Sequence, residues 1–162
     1  MKKIQLTALA TTLGLYASAQ QWQTDTFIHQ NQARTYKTYH NTTDTTPKKV
    51  LLMLHGLGGS MNDVDLTNWT KIADTTNLLL ISPQATDFSL SLIGNIGAAW
   101  NSGIVLKGTP LGDIALNPTI DDVSFLHELL DRTIANEHID TSKIFVAGFS
   151  NGAFMTQRLL CE

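Results

Sequence analysis

Chemistry in this chain centres on five residues, Gly148-Phe149-Ser150-Asn151-Gly152. A serine hydroxyl attacks carbonyl carbon well only when the backbone lifts it out of a sharp turn. Such a turn needs glycine two residues to either side, because a side chain there would collide with neighbouring backbone. The flanks suit it: Lys143-Ile144-Phe145-Val146-Ala147 is an apolar run of strand type, and Ala153 to Leu160 can continue as a helix. A G-x-S-x-G pattern at a strand-to-helix junction predicts that Ser150 is a nucleophile and Gly148 and Gly152 its structural supports. The competing reading is a tight turn whose small residues serve packing alone.

Attack on a carbonyl creates an oxyanion, which must meet backbone N–H donors already in place. One donor belongs to the residue after the nucleophile, here Asn151. The second is expected from a glycine-lined loop after an earlier strand, and His55-Gly56-Leu57-Gly58-Gly59-Ser60 follows the apolar run Val50 to Leu54. Leu57 is the expected donor, with its neighbour Gly58 as the alternative. A phosphate-cradling loop does not fit, since the Lys-Ser/Thr pair is missing and Met61 stands where a dinucleotide fingerprint has its last glycine. His55 is expected to brace the turn by hydrogen bonds, because the base in this arrangement follows the nucleophile in chain order. His29, His40, His127 and His138 also precede Ser150 and read as surface or structural residues. No metal is expected: Asp63-Val64-Asp65 lacks the glycine and distal glutamate of a calcium loop, and no histidine pair has zinc-protease spacing.

The elements that must position these residues are legible in outline. Thr24 to Gln30 and Arg34 to His40, separated by Asn31-Gln32-Ala33, suit a β-hairpin. Val50 to Leu54, Leu78 to Ile81 and Lys143 to Ala147 read as buried strands of a parallel sheet. Between them lie a helix-like stretch around Leu66 to Thr76 and a stronger helix opened by Asp121-Asp122. In the latter Val123, Leu126, Leu129, Leu130 and Ile134 recur at helical spacing. A turn is expected around Ile139-Asp140-Thr141. Alternating strands and helices predict parallel βαβ units, hence an α/β fold. Residues 84 to 118, rich in glycine with little periodicity, form an excursion long enough to carry a function or short elements of its own.

Composition is that of a globular protein, with 43% hydrophobic and 15% charged residues among 162. A net charge of −3 without basic clusters argues against a nucleic-acid partner. Met1-Lys2-Lys3, the apolar run Ile4 to Tyr16 and Ala17-Ser18-Ala19 have the order of a secretory signal peptide. Residues 1–19 are therefore expected to be a leader, with residues 20–162 the N-terminal part of one domain in a secreted, extracellular or periplasmic protein. That run is too short to span a membrane and no later one approaches the length. Cys161 stands alone, so its partner, if any, is not in this sequence.

With these residues in view, the chain resembles the poly(3-hydroxybutyrate) depolymerase and feruloyl esterase family of secreted esterases. The resemblance is carried by His55 to Ser60, Trp100-Asn101, Asp121-Asp122-Val123-Ser124-Phe125-Leu126, the elbow, and Met155 to Glu162. It implies an α/β-hydrolase fold, a mostly parallel sheet with flanking helices, and ester hydrolysis without cofactor or metal. Ser150 would be the nucleophile and Leu57 and Asn151 the oxyanion donors. Trp100 and Asn101 would line the substrate cleft, although an aromatic packed under a long loop is equally consistent with the sequence. Polyester oligomers and feruloyl or acetyl esters of plant polysaccharide are the substrates so implied. The family's catalytic Asp and His follow the elbow and are not in this chain, which stops inside a helix-like stretch and reads as truncated. A serine peptidase on the same fold, or a non-catalytic binding protein, are the alternatives.

Overall fold

The computed structural model describes residues 22–40 and 43–162, so the expected leader lies outside the described residues. The first two strands, β1 (Gln23–His29) and β2 (Gln32–Tyr39), pair antiparallel. The turn between them falls one to two residues earlier than the sequence suggests, on Gln30 and Asn31, both at positive φ (46° and 63°). A two-residue turn of this hand matches the strand twist, and asparagine tolerates it better than most residues.

β3 (Lys48–Leu54) is central, parallel to β4 (Leu78–Pro83) on one side and to β9 (Ile139–Gly148) on the other. With β2 antiparallel to β4, the five-stranded order is β1-β2-β4-β3-β9. Val50 and Leu52 of β3 face a core shared with helix α2 (Asp122–Asn136) and helix α3 (Asn151–Cys161), which contribute Phe125, Leu126, Leu129 and Met155. Leu51 faces the other way, towards helix α1 (Trp69–Thr76), where Ala73, Leu78 and Leu80 close a second core. Both faces of β3 and β4 are thus covered, as their unbroken apolar runs predict.

Two expectations change in detail. The helix-like stretch Leu66 to Thr76 forms the shorter α1, Trp69–Thr76, with a separate 3-10 turn, Met61–Leu66, ahead of it, because Thr67 is extended and returns both its N–H and its hydroxyl to the Val64 carbonyl. β9 is longer than Lys143 to Ala147 and is not fully buried: it is the sheet's edge among the described residues, and Phe145 is 53% exposed. The turn at Ile139-Asp140-Thr141 is a bulge inside that strand. Pairing jumps from Lys48 with Ile139 to Val50 with Ile144, while the Asp140 carboxylate accepts from the N–H and hydroxyl of Ser142.

The excursion holds two hairpins, β5 (Thr86–Leu90) with β6 (Gly94–Ala99) and β7 (Val105–Thr109) with β8 (Gly112–Ala115). Phe88, Ala99 and Leu116 give it a small core. Asn117 fastens the excursion's end to its start by donating to the carbonyls of Thr86 (2.8 Å) and Ala99 (2.7 Å). The chain therefore enters Trp100 from a fixed direction, close against the end of β3.

Candidate active site

Ser150 sits between β9 and α3 with φ 52° and ψ −116°, a conformation that costs a non-glycine residue about 1–3 kcal/mol and persists only where packing enforces it. The enforcement is visible on both sides. A Cβ on Gly148 would lie 2.2 Å from the Gly152 carbonyl oxygen, and one on Gly152 would lie 2.2 Å from the Leu54 oxygen and 2.5 Å from that of His55. Phe149 N–H donates to the Leu54 carbonyl at 3.1 Å, so the elbow is pressed onto the end of β3. Ser150 itself is exposed.

The glycine loop after β3 lies directly beside it. A Cβ on Gly56 would lie 3.4 Å from the Ser150 Cβ and 3.1 Å from the Phe149 ring, so the loop and the elbow pack in direct contact here. Within the loop, Gly59 N–H donates to the Gly56 carbonyl (3.1 Å) and Gly58 N–H to the Ala98 carbonyl (2.8 Å). Gly58, the alternative oxyanion donor, therefore has its hydrogen committed to β6. Among the described residues no acceptor takes the Leu57 N–H. The Asn151 N–H is the first of α3 and by position has no acceptor within the helix. The positive end of the α3 dipole also favours negative charge at this point.

His55 braces this loop. It is buried, its Nδ1–H donates to the Gly56 carbonyl at 2.8 Å, and its Nε2 accepts from the Ala85 N–H at 3.1 Å. Burial holds its pKa below the ordinary histidine value, with the Gly56 hydrogen bond working the other way. A neutral ring with both nitrogens engaged has no lone pair left for a proton from Ser150. His29 lies against Glu128 and His40 against Asn77, and among the described residues no histidine hydrogen-bonds Ser150.

Trp100 does not line a cleft, as the resemblance would have it: it is completely buried. Its main chain receives the Asn151 carboxamide, Oδ1 accepting from Trp100 N–H at 2.7 Å and Nδ2 donating to Trp100 O at 3.1 Å. Its indole N–H donates to the His55 carbonyl at 3.0 Å. Asn101 is partly exposed and is tied to neighbouring elements. It donates its amide to Ile120 O (2.8 Å) and its N–H to Asp122 (2.7 Å), and accepts from Arg158 of α3 (2.8 Å). The Trp100 indole and main chain and the Asn101 amide nitrogen and main chain are thus engaged by protein groups.

Sequence reasoning missed three supports. Asp122 reads as a helix-dipole acid, but it is buried, paired with buried Arg34 at 2.6 Å and bonded to Asn101 N–H; burial raises its pKa while Arg34 pulls it down. Ser102 accepts from Asn151 Nδ2 at 3.1 Å. Gly97, at φ 99°, lets β6 run against the glycine loop, since its Cβ would lie 2.8 Å from the Gly58 Cα. A glycine inside a strand is the one signal that could have shown this approach. A cavity of about 460 Å³ adjoins the elbow and the glycine loop, with His55, Gly56, Val64, Trp69, Gly148 and Phe149 in its lining, and Ser150 is not among its lining residues.

A strained serine elbow at the end of a parallel strand, beside a glycine loop from the neighbouring strand, defines the α/β-hydrolase fold. Solved structures agree. An acetyl xylan esterase from Aspergillus awamori matches with a TM-score of 0.57 at 17% identity, over 78% of this chain and 41% of that one. An S-formylglutathione hydrolase from Agrobacterium tumefaciens matches with a TM-score of 0.59 at 14% identity, over 82% and 50%. Within that fold the chain belongs to the Phospholipase/Carboxylesterase family, whose profile matches residues 38–161. A poly(3-hydroxybutyrate) depolymerase from Ralstonia pickettii is 26% identical over 91% of this chain, which spans 30% of that relative's length. The chain thus covers half or less of each of these relatives. No helix among the described residues is long and apolar enough to cross a membrane.

Proposed function

We propose that the protein is a secreted serine esterase that cleaves carboxylic esters through an acyl-enzyme on Ser150. Ser150 Oγ attacks the ester carbonyl carbon, the carbonyl electron pair moves to oxygen, and the N–H groups of Leu57 and Asn151 hold that oxyanion. The Oγ proton passes to a general base, which returns it to the departing oxygen as collapse breaks the C–O bond and expels the alcohol. The acyl group stays on Ser150 until water, activated in the same way, releases the acid. The observation that carries this reading is the strained Ser150 lying beside the Gly56-Leu57 turn, with both N–H groups free of other acceptors among the described residues.

The reading needs a general base, and none of the five histidines supplies it, so it places the triad's Asp and His outside the sequence Met1–Glu162. It follows that residues 20–162 alone turn over on the order of a millionfold more slowly than a polypeptide carrying all three groups. The likeness to a poly(3-hydroxybutyrate) depolymerase and to an acetyl xylan esterase supports polyester oligomers or acyl esters of polysaccharide as substrates. Export rests on the leader pattern of residues 1–19. Hydrolysis of a short p-nitrophenyl ester by the polypeptide as its gene encodes it is the test. Ser150→Ala abolishes turnover if the proposal holds, and unchanged hydrolysis in that variant refutes it. A peptidase would instead favour peptide over ester substrates in the same assay.

A further inference from the structure

The residues around Trp100 belong to neither loop of the proposed oxyanion site, yet they touch both. From the oxyanion loop, Gly58 N–H reaches the Ala98 carbonyl at 2.8 Å and the His55 carbonyl receives the Trp100 indole at 3.0 Å. From the elbow, the buried Asn151 carboxamide binds Trp100 through both its oxygen and its nitrogen, and Ser102 Oγ takes a further amide hydrogen at 3.1 Å. Five hydrogen bonds therefore converge on residues 98–102 from the two segments that carry Leu57 and Asn151. The paired carboxamide imitates the edge of a neighbouring strand: it satisfies one main-chain donor and one acceptor at once. The elbow also packs directly on the end of β3 through Phe149 N–H to Leu54 O and through Gly152 against the His55 carbonyl. No hydrogen bond joins Leu57 or Gly58 to Asn151 among the described residues, however, so this strut is the polar link nearest the two donors.

We infer that Trp100 and the Asn151 side chain are positioning residues whose shared hydrogen bonds set the spacing between the Leu57 and Asn151 N–H donors. This rests on the esterase reading above and adds to it. In that reading Asn151 acts through its main-chain N–H; here its side chain has a separate task, which glutamine, aspartate or alanine at 151 would not perform. Aspartate keeps the acceptor for Trp100 N–H but presents a second acceptor to Trp100 O, where a donor is required, while the Ser102 hydroxyl can turn to donate. Phenylalanine at 100 keeps a buried aromatic ring, removes the hydrogen given to His55 and leaves a small cavity where the rest of the indole stood. A displaced donor stabilises the oxyanion less while leaving substrate binding in place, so the effect falls on kcat.

The experiment uses the polypeptide as its gene encodes it and compares Trp100→Phe, Asn151→Asp and the milder Ser102→Ala in p-nitrophenyl butyrate hydrolysis. Inhibition by a trifluoromethyl ketone, which forms an oxyanion on the serine, is measured alongside. Asn151→Asp and Trp100→Phe are expected to lower kcat by about 10- to 100-fold with KM changed less than about threefold, and to weaken trifluoromethyl ketone inhibition in parallel. Ser102→Ala, which removes one acceptor and leaves the Trp100 contacts, should show a several-fold effect in the same direction. If Asn151→Asp does not fold, Trp100→Phe and Ser102→Ala still decide. Wild-type kcat and inhibitor affinity in these folded variants, with only melting temperature lowered, overturns the inference. A fully active Ser150→Ala control would instead overturn the esterase reading beneath it.

Discussion

Ser150 holds a backbone conformation that its own side chain disfavours, and the cost is met by contacts that begin at Gly148 and Gly152. Gly152→Ala would push a methyl group to within 2.2 Å of the Leu54 oxygen, which is rigid backbone at the end of the central strand. The expected loss is about 3 kcal/mol or more, read as a lowered urea midpoint, together with loss of turnover. These glycines were legible because their requirement is local and steric. Trp100 was not, since an aromatic in a glycine-rich stretch has the same signature whether it meets substrate or core. Its role depends on His55 and Asn151, about fifty residues away in either direction. His55 gives a pH-dependent outcome. Burial lowers its pKa, so the stability it contributes is fully present above the unfolded histidine value of about 6.5 and is lost as pH falls towards the lower folded value. His55→Gln should cost about 1–3 kcal/mol at pH 7, and the gap to the parent protein should narrow by pH 5 in urea titrations at the two pH values.

Elements were easiest to read where burial forces a period. α2 shows its apolar face as Phe125, Leu126 and Leu129, all completely buried, and its cap as Asp121, which accepts from Ser124 N–H at 3.0 Å. Leu129→Ala should destabilise by about 2–5 kcal/mol, measured by chemical denaturation. What the periodicity could not show is which elements are tied together by polar groups. The Arg34–Asp122 pair joins β2 to the start of α2, and the Asp122 carboxylate continues to Asn101, which in turn meets Arg158 of α3. Asp122→Ala leaves a buried guanidinium without its counter-charge and should cost about 3–5 kcal/mol. The hairpin turn and the β9 bulge were misplaced by a few residues for a related reason. Asparagine and aspartate favour turns, but register is fixed by the partner strand, which a local pattern does not contain.

At the scale of the molecule, the sheet formed by the described residues has two different edges. β1 is polar and largely exposed, whereas β9 ends the other side with Phe145 half exposed and Phe149 78% exposed beside the elbow. An apolar edge of this kind pairs readily with another chain. Residues 20–162 alone should therefore associate as concentration rises, and Phe145→Lys should reduce that association in light scattering without unfolding the sheet. The overall α/β architecture was legible because three apolar runs separated by helical stretches admit few other topologies. The uncovered face of β9 was not, because an apolar run looks the same whether or not a partner covers it. The account as a whole turns on the reactivity of one hydroxyl. Mass mapping after treatment of the encoded polypeptide with a fluorophosphonate tests it most directly: a single adduct on Ser150, absent in Ser150→Ala, is the result expected. An unmodified Ser150 in a preparation that still hydrolyses esters would contradict it.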